Sequence, residues 1–262
     1  MRRLLVTADD FGLDLPTNRG IALAADAGAV RSASVLALGA RLAEAVDLAR
    51  QRPELELGLH VQLVQGRPRL PPDRIATLVL SDGCFPASVF ALAARVLDPR
   101  HVLAEATAQF DAFEAAFGHG PAFINTHQHT HLLPQVLGPL IALCRARGIP
   151  AMRLPAEHHA FRPTRHIRTW AWPGATLVAR GLVSPALRLA GIRHPDRMLG
   201  GPESGRLDRD RLHALLRSLP AGSTELVIHP AAGSADWHAL LDSQTETLLL
   251  QQNVSRIQFR DL

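Results

Sequence analysis

Short apolar runs alternate along the chain with longer stretches whose apolar residues recur every three or four positions. Residues 4–7, 33–38, 55–59, 122–125, 151–154 and 225–228 form the first kind and read as buried strands. Residues 15–29, 41–50, 101–117, 135–147, 175–189, 209–219 and 237–251 form the second and read as helices. Pro16 near the start of the first helix, Gly148 after the fourth and Asp208 before the sixth supply breaker and capping chemistry at the boundaries. Strand and helix in turn predict an α/β protein with a parallel sheet and crossover helices. A chain of 262 residues fits one such domain, here expected to span residues 1–262.

Residues 157–205 depart from this rhythm. They mix His158, His159, His166, Trp170, Trp172 and many Arg with Pro and Gly, and read as an elaborated region forming a wall or lid over a substrate. Within it residues 175–189 are apolar apart from Arg180, Ser184 and Arg188, a composition suited to core packing or to peripheral contact with a membrane. Pro185 is expected to kink or split any helix there.

Composition narrows the partners. All 28 basic residues are Arg and the chain has no Lys or Tyr, so the sequence pI of 10.6 reflects missing buffering between His and Arg. The formal charge is only +4, and a nucleic-acid partner is not expected. Two cysteines, Cys84 and Cys144, are too few for a disulfide framework and too far apart for a paired metal motif. The apolar stretch Leu4-Leu5-Val6 meets Asp9 and Asp10 too soon for a signal peptide, and no run reaches transmembrane length. The reading is a cytoplasmic protein, with membrane association limited to the cytoplasmic face.

Chemistry concentrates where the strands run out. Asp9 and Asp10 follow the first strand, His60 the third, His127 the fourth; Arg153 lies late in the fifth and His229 follows the sixth. In a parallel α/β barrel these ends share one face, and active sites are built there. Of two adjacent carboxylates, one can bind a cation while its neighbour serves as general base; spacing alone does not say which. His127, His129 and His131 alternate, and on extended backbone they project to one face. One ion seldom takes three ligands from so tight a stretch, so His127 is the expected ligand and His129 and His131 supporting or substrate-contacting groups. Arg153 is placed to pair with Asp9, and His229 to act as general acid.

These stretches resemble the successive motifs of the YdjC/ChbG carbohydrate deacetylases: Thr7-Ala8-Asp9-Asp10-Phe11-Gly12-Leu13, Gly58-Leu59-His60, Asn125-Thr126-His127-Gln128-His129-Thr130-His131, Met152-Arg153 and His229-Pro230. The order agrees and the resemblance runs from Leu4 to Leu262. The stretch from Gly58 to Pro68, and Asn125 where chitooligosaccharide deacetylases usually carry Asp, look closer to the hopanoid-associated HpnK branch. The resemblance implies a distorted (β/α) barrel of the polysaccharide-deacetylase type and removal of acetyl from an N-acetylated amino sugar. It implies Asp9 as base, Asp10, His60 and His127 as ligands of one divalent ion, Mg²⁺ or Zn²⁺, and His229 as acid. An N-acetylglucosaminyl hopanoid is the substrate implied by that branch, and it would give Trp170 and Trp172 a substrate-binding role. Chitooligosaccharide deacetylation, another metal-dependent amidohydrolase or phosphoesterase activity, and non-catalytic binding of a sugar or lipid are the alternatives.

Overall fold

A computed structural model describes residues 1–158 and 171–262. Its axis is β1 (Arg2–Phe11), whose residues from Leu4 onward are all buried, as a strand covered on both faces requires. Around it lie β2 (Ser32–Val35), β3 (Glu56–Val61), β4 (Ile124–Thr126), β5 (Arg197–Leu199), β6 (Gly222–Ile228) and β7 (Val254–Arg256). The order is β4-β3-β2-β1-β6-β5 and every pairing is parallel. β2 takes the C-terminal half of one edge of β1, while β7 pairs with Arg2, Arg3 and Leu4 at its start. Isolated parallel bridges, Ile124 with Met152 and Glu157 with Met198, carry the pairing from β4 through residues 152–157 to β5. The sheet therefore curls into the expected distorted (β/α) barrel, and the predicted strand at 151–154 is reduced to isolated bridges, Ala151 with Arg193 and Met152 with Ile124.

Helices cover the sheet: α1 (Leu15–Asp26), α2 (Leu42–Arg50), α3 (Val89–Ala93), α4 (Pro99–Phe117), α5 (Pro134–Arg147), α6 (Trp172–Val178), α7 (Ser184–Leu189), α8 (Arg209–Arg217), α9 (Ala235–Leu241) and α10 (Ser243–Gln251). Their ends follow local chemistry. Asp14, Asp98 and Asp208 cap α1, α4 and α8 by accepting backbone N–H bonds, each cap worth about 1 kcal/mol. The single helix expected at 237–251 is two, because Asp242 turns extended and caps α10 through the Gln244 N–H. Pro185 sits in the first turn of α7, where its missing N–H costs little; a π-helical turn, Ala179–Val183, joins α6 to α7 in place of a sharp kink.

One apolar cluster fills the space between sheet and helices. The C-terminal segment is latched to β3 by Glu56, a buried carboxylate that accepts from Ser32 Oγ and from the backbone N–H groups of Phe259 and Arg260, and Phe259 packs in a second, smaller cluster with Leu5, Phe123 and Ala151. Among the described residues no helix is long and apolar enough to cross a membrane.

Candidate metal centre

In a regular strand Asp9 and Asp10 would face opposite sides. They do not, because β1 breaks register against β2 between Ala8 and Phe11, and Asp10 adopts a left-handed backbone (φ +68°). Aspartate tolerates this conformation better than most residues. The distortion turns both carboxylates toward the mouth of the barrel, where each meets a different set of partners.

Asp10 meets two imidazoles. Its Oδ1 lies 3.4 Å from His60 Nε2 and 3.3 Å from His127 Nδ1, and the two nitrogens are 3.3 Å apart. Two amides orient the rings: His127 Nε2 lies 2.9 Å from Gln65 Oε1 and His60 Nδ1 2.6 Å from Asn125 Oδ1, oxygens that would accept the ring N–H groups of metal-ligating tautomers. In those tautomers both remaining lone pairs would face an ion beside Asp10, whereas without an ion the same nitrogens can donate to its carboxylate. The opposite orientation of the Asn125 amide would give its oxygen to Arg153 and its NH₂ to His60, so a ligating His60 requires the first. Three donor atoms in a triangle of these edges suit a tetrahedral ion, whose ligands at about 2.0–2.2 Å stand about 3.3–3.6 Å apart. Asp10 Oδ1 is itself buried without a hydrogen-bond partner. Burial opposes ionisation of Asp10, yet the two histidines hold its carboxyl well below the usual carboxylate range. The donor set therefore fits a divalent cation.

Asp9 meets a guanidinium. Arg153, fully buried, makes a bidentate pair with it (Nη1 to Oδ2 2.6 Å, Nη2 to Oδ1 2.8 Å), and Ser34 Oγ donates to Oδ1 at 2.5 Å. Burial disfavours the charge on Asp9, but Arg153 outweighs it and keeps the carboxyl far below its ordinary value. The other side of Arg153 is held by Glu225 of β6, whose Oε1 accepts from Nε at 2.9 Å and Nη2 at 2.8 Å. Three carboxylates and one guanidinium leave the interior two formal charges negative, the deficit a divalent ion makes good.

His229, at the end of β6, puts Nε2 3.9 Å from Asp10 Oδ2, across that carboxylate from the imidazole pair. Its backbone N–H donates to Asp236, and Ser204 Oγ lies 3.1 Å from Nδ1. The following loop rests on α1 through Gly20, where an added Cβ would come within 1.6 Å of Pro230 O. Burial raises the Asp236 carboxyl above its usual value despite the N–H groups it accepts.

The histidine triplet is not extended, which corrects the sequence expectation. Residues His127–Leu132 form a 3₁₀ turn in which Gln128 and His129 are left-handed (φ +53° and +54°), and only His127 reaches the Asp10 group. His131 is buried, hydrogen-bonded through Nδ1 to Thr126 Oγ1 at 2.7 Å; burial and then Arg153 pull its pKa down to about 3. His129 is likewise held neutral, and its buried Nδ1 has no hydrogen-bond partner. Its ring stands edge-on to Trp172 at 5.4 Å. Trp172 in turn packs against Gly201, where a Cβ would meet its ring at 2.3 Å. Trp170, with His159 and His166, lies outside the described residues.

The sequence reading missed Glu225, Ser34 and Gln65, as well as Asp236 and Ser204 beside His229. Glu225 opens the run 225–228, where a carboxylate inside an apolar strand is a signal in itself. Ser34 and Gln65 carry no such mark: a serine inside a strand and a glutamine in a loop are ordinary until the fold brings them to Asp9 and His127.

A curled parallel sheet with a carboxylate, two imidazoles and an Arg-clamped second carboxylate at its strand ends has donor atoms that could hold a metal ion, an arrangement used by metal-dependent hydrolases. The sequence profile of the YdjC-like proteins matches residues 3–257, and the chain belongs to that family. A carbohydrate deacetylase of Mus musculus is 34% identical over 249 residues, covering 87% of this chain and 77% of the mouse protein. A chitooligosaccharide deacetylase of Yersinia pestis is 31% identical over 196 residues, 74% of this chain and 76% of that one. Among solved structures, an Enterococcus faecalis protein proposed to cleave cellobiose phosphate superposes with a TM-score of 0.78 at 23% identity, covering 99% of this chain and 98% of that chain. A family 4 carbohydrate esterase of Streptomyces lividans, solved with acetate, shares the fold at a TM-score of 0.50 and 10% identity, covering 98% and 92%.

Proposed function

We propose that the protein is a carbohydrate N-deacetylase that hydrolyses the acetamide of an amino sugar at a divalent ion held by Asp10, His60 and His127. The observation that carries this reading is the juxtaposition of two carboxylates with separate partners, Asp10 facing two imidazoles and Asp9 clamped by Arg153. Names carried by family relatives in mouse and Yersinia support the carbohydrate class.

Amide hydrolysis needs an activated water, a stabilised oxyanion and a proton for the leaving nitrogen. The ion, when bound, supplies Lewis acidity toward water and the acetyl oxygen. Asp9 takes the proton from water; Arg153 and Ser34 hold its carboxylate in one orientation and in the charged form that can accept it. His229 delivers a proton to the departing amine, so the carbon–nitrogen bond breaks and acetate and a free amino sugar leave. Asp236 and Ser204 hold His229 in place. His129 and Trp172, in edge-on contact, would offer a sugar one wall of the mouth, suited to its hydroxyl and apolar faces.

The finer assignment we favour is an N-acetylglucosaminyl hopanoid as substrate, in keeping with the apolar composition of residues 175–189. Chitooligosaccharides are the second reading, favoured by the Yersinia relative. Acetate release from N-acetylglucosaminyl hopanoid and from diacetylchitobiose, each with and without chelator, tests both levels. Chelator-sensitive release from the hopanoid is the expected result. Release from diacetylchitobiose alone would overturn the lipid assignment, and release from neither would overturn the deacetylase.

A further inference from the structure

From Trp172 to Leu189 the helix α6, the π-turn and α7 form one continuous rod. Its buried stripe is Thr176, Ala179, Val183 and Leu187, spaced as one helical face must be. The opposite face should be polar and is not. Leu177, Val178, Leu182 and Leu189 stand 62%, 38%, 41% and 92% exposed, four of the eleven large apolar side chains that the described residues leave open to solvent. Gly181 and Pro185, also exposed, continue the stripe between them.

The charges beside this stripe have one sign. Arg180 and Arg188 are exposed on the rod itself. Over the described residues from Ala171 to Pro195 the chain carries three Arg and no Asp or Glu. At the far end of the rod an open cavity of about 420 Å³ is lined by Arg3, Arg188, Arg193 and His194, with Asp196 beside them. An apolar stripe bordered by guanidiniums, on a rod that is not long and apolar enough to cross a bilayer, has the chemistry of a helix lying in the headgroup plane of an anionic lipid surface. A protein partner would need its own acidic rim around an apolar groove; an anionic bilayer offers both at once along the whole rod.

We propose that the face formed by Leu177, Val178, Leu182 and Leu189, with Arg180 and Arg188, docks the protein on anionic phospholipid. Trp172 begins this rod and touches His129, so docking would bring the mouth of the barrel beside the membrane. Vesicle binding can be read without any substrate, so the inference stands or falls apart from the deacetylase reading.

The test is flotation of the full chain with vesicles of phosphatidylcholine alone and of phosphatidylcholine mixed with phosphatidylglycerol, at low and high salt. The expected result is binding to the mixed vesicles that weakens with salt and is nearly absent on phosphatidylcholine. L182E/L189E should weaken it by at least about tenfold, since two leucines no longer leave water. R180E/R188E should weaken it on mixed vesicles and abolish its salt dependence. Melting temperature should not move in either variant; should the double leucine change unfold the protein, Leu189→Glu alone, at a nearly fully exposed position, makes the same comparison. Unchanged binding by the leucine variants, or no binding to mixed vesicles at low salt, would overturn the proposal. So would a dimer in solution that L182E/L189E converts to monomer, because the face would then be covered by a second copy.

Discussion

Asp9 and Asp10 are neighbours with opposite surroundings, and substitution should separate them. Asp10→Ala or His127→Ala removes one corner of the donor triangle, and calorimetric titration with Zn²⁺ or Mg²⁺ should show ion binding lost. Asp9→Asn should keep the ion and lose about 10²–10⁴ in acetate release; full activity in that variant would sink the assignment of the base. Arg153→Leu leaves two carboxylates buried without their cation, so urea unfolding should report a loss of about 3–5 kcal/mol. His131 is a pH-linked case. Its folded pKa is lowered to about 3, so as pH falls below about 6.5 the unfolded chain takes up a proton that the folded one refuses. Stability then declines by about 1.4 kcal/mol per pH unit down to about pH 3, and His131→Gln should flatten that slope in urea titrations. Asp9 acts in a lower window: its depressed folded pKa contributes stability above about pH 3.9, lost as pH falls further. Asp9, Asp10, His60, Arg153 and His229 were legible because each is a polar residue where an apolar run ends. Gln65 and Ser34 were not, since nothing local marks a side chain whose partner lies many residues away.

At the scale of elements, the strands marked by an apolar run could be read directly, the three-residue β4 included, whereas β5 and β7, equally short, lie in stretches with no such run. The turn at His127–Leu132 shows the same limit differently. Alternating histidines imply one face only if the backbone is extended, and two consecutive left-handed residues there cannot be inferred from residue type. Contact between α1 and the His229 loop is also invisible in the sequence, although its cause is a single hydrogen in place of a side chain. Gly20→Val should push residues 230–232 away, lowering kcat for acetate release while ion affinity measured by calorimetry stays unchanged.

For the whole molecule, the ion and the fold are linked. A buried interior carrying two uncompensated formal negative charges is less stable empty than filled, and a ligand at a hundred times its Kd adds about 2.7 kcal/mol. Thermal melts should therefore show a chelator-induced fall in Tm that Asp10→Ala abolishes. The order of pairing has a consequence for how the protein is made. Arg2 pairs with both Gly222 of β6 and Val254 of β7, so the strand bearing both carboxylates is synthesised about 200 residues before these two neighbours. Until those late strands are synthesised, one edge of β1 and the bottom of the other stay open, an apolar template for wrong pairing. Nascent chains halted before β6 should thus bind no ion and depend on chaperones to stay soluble, so that the candidate centre is completed only once β6 and β7 have been made.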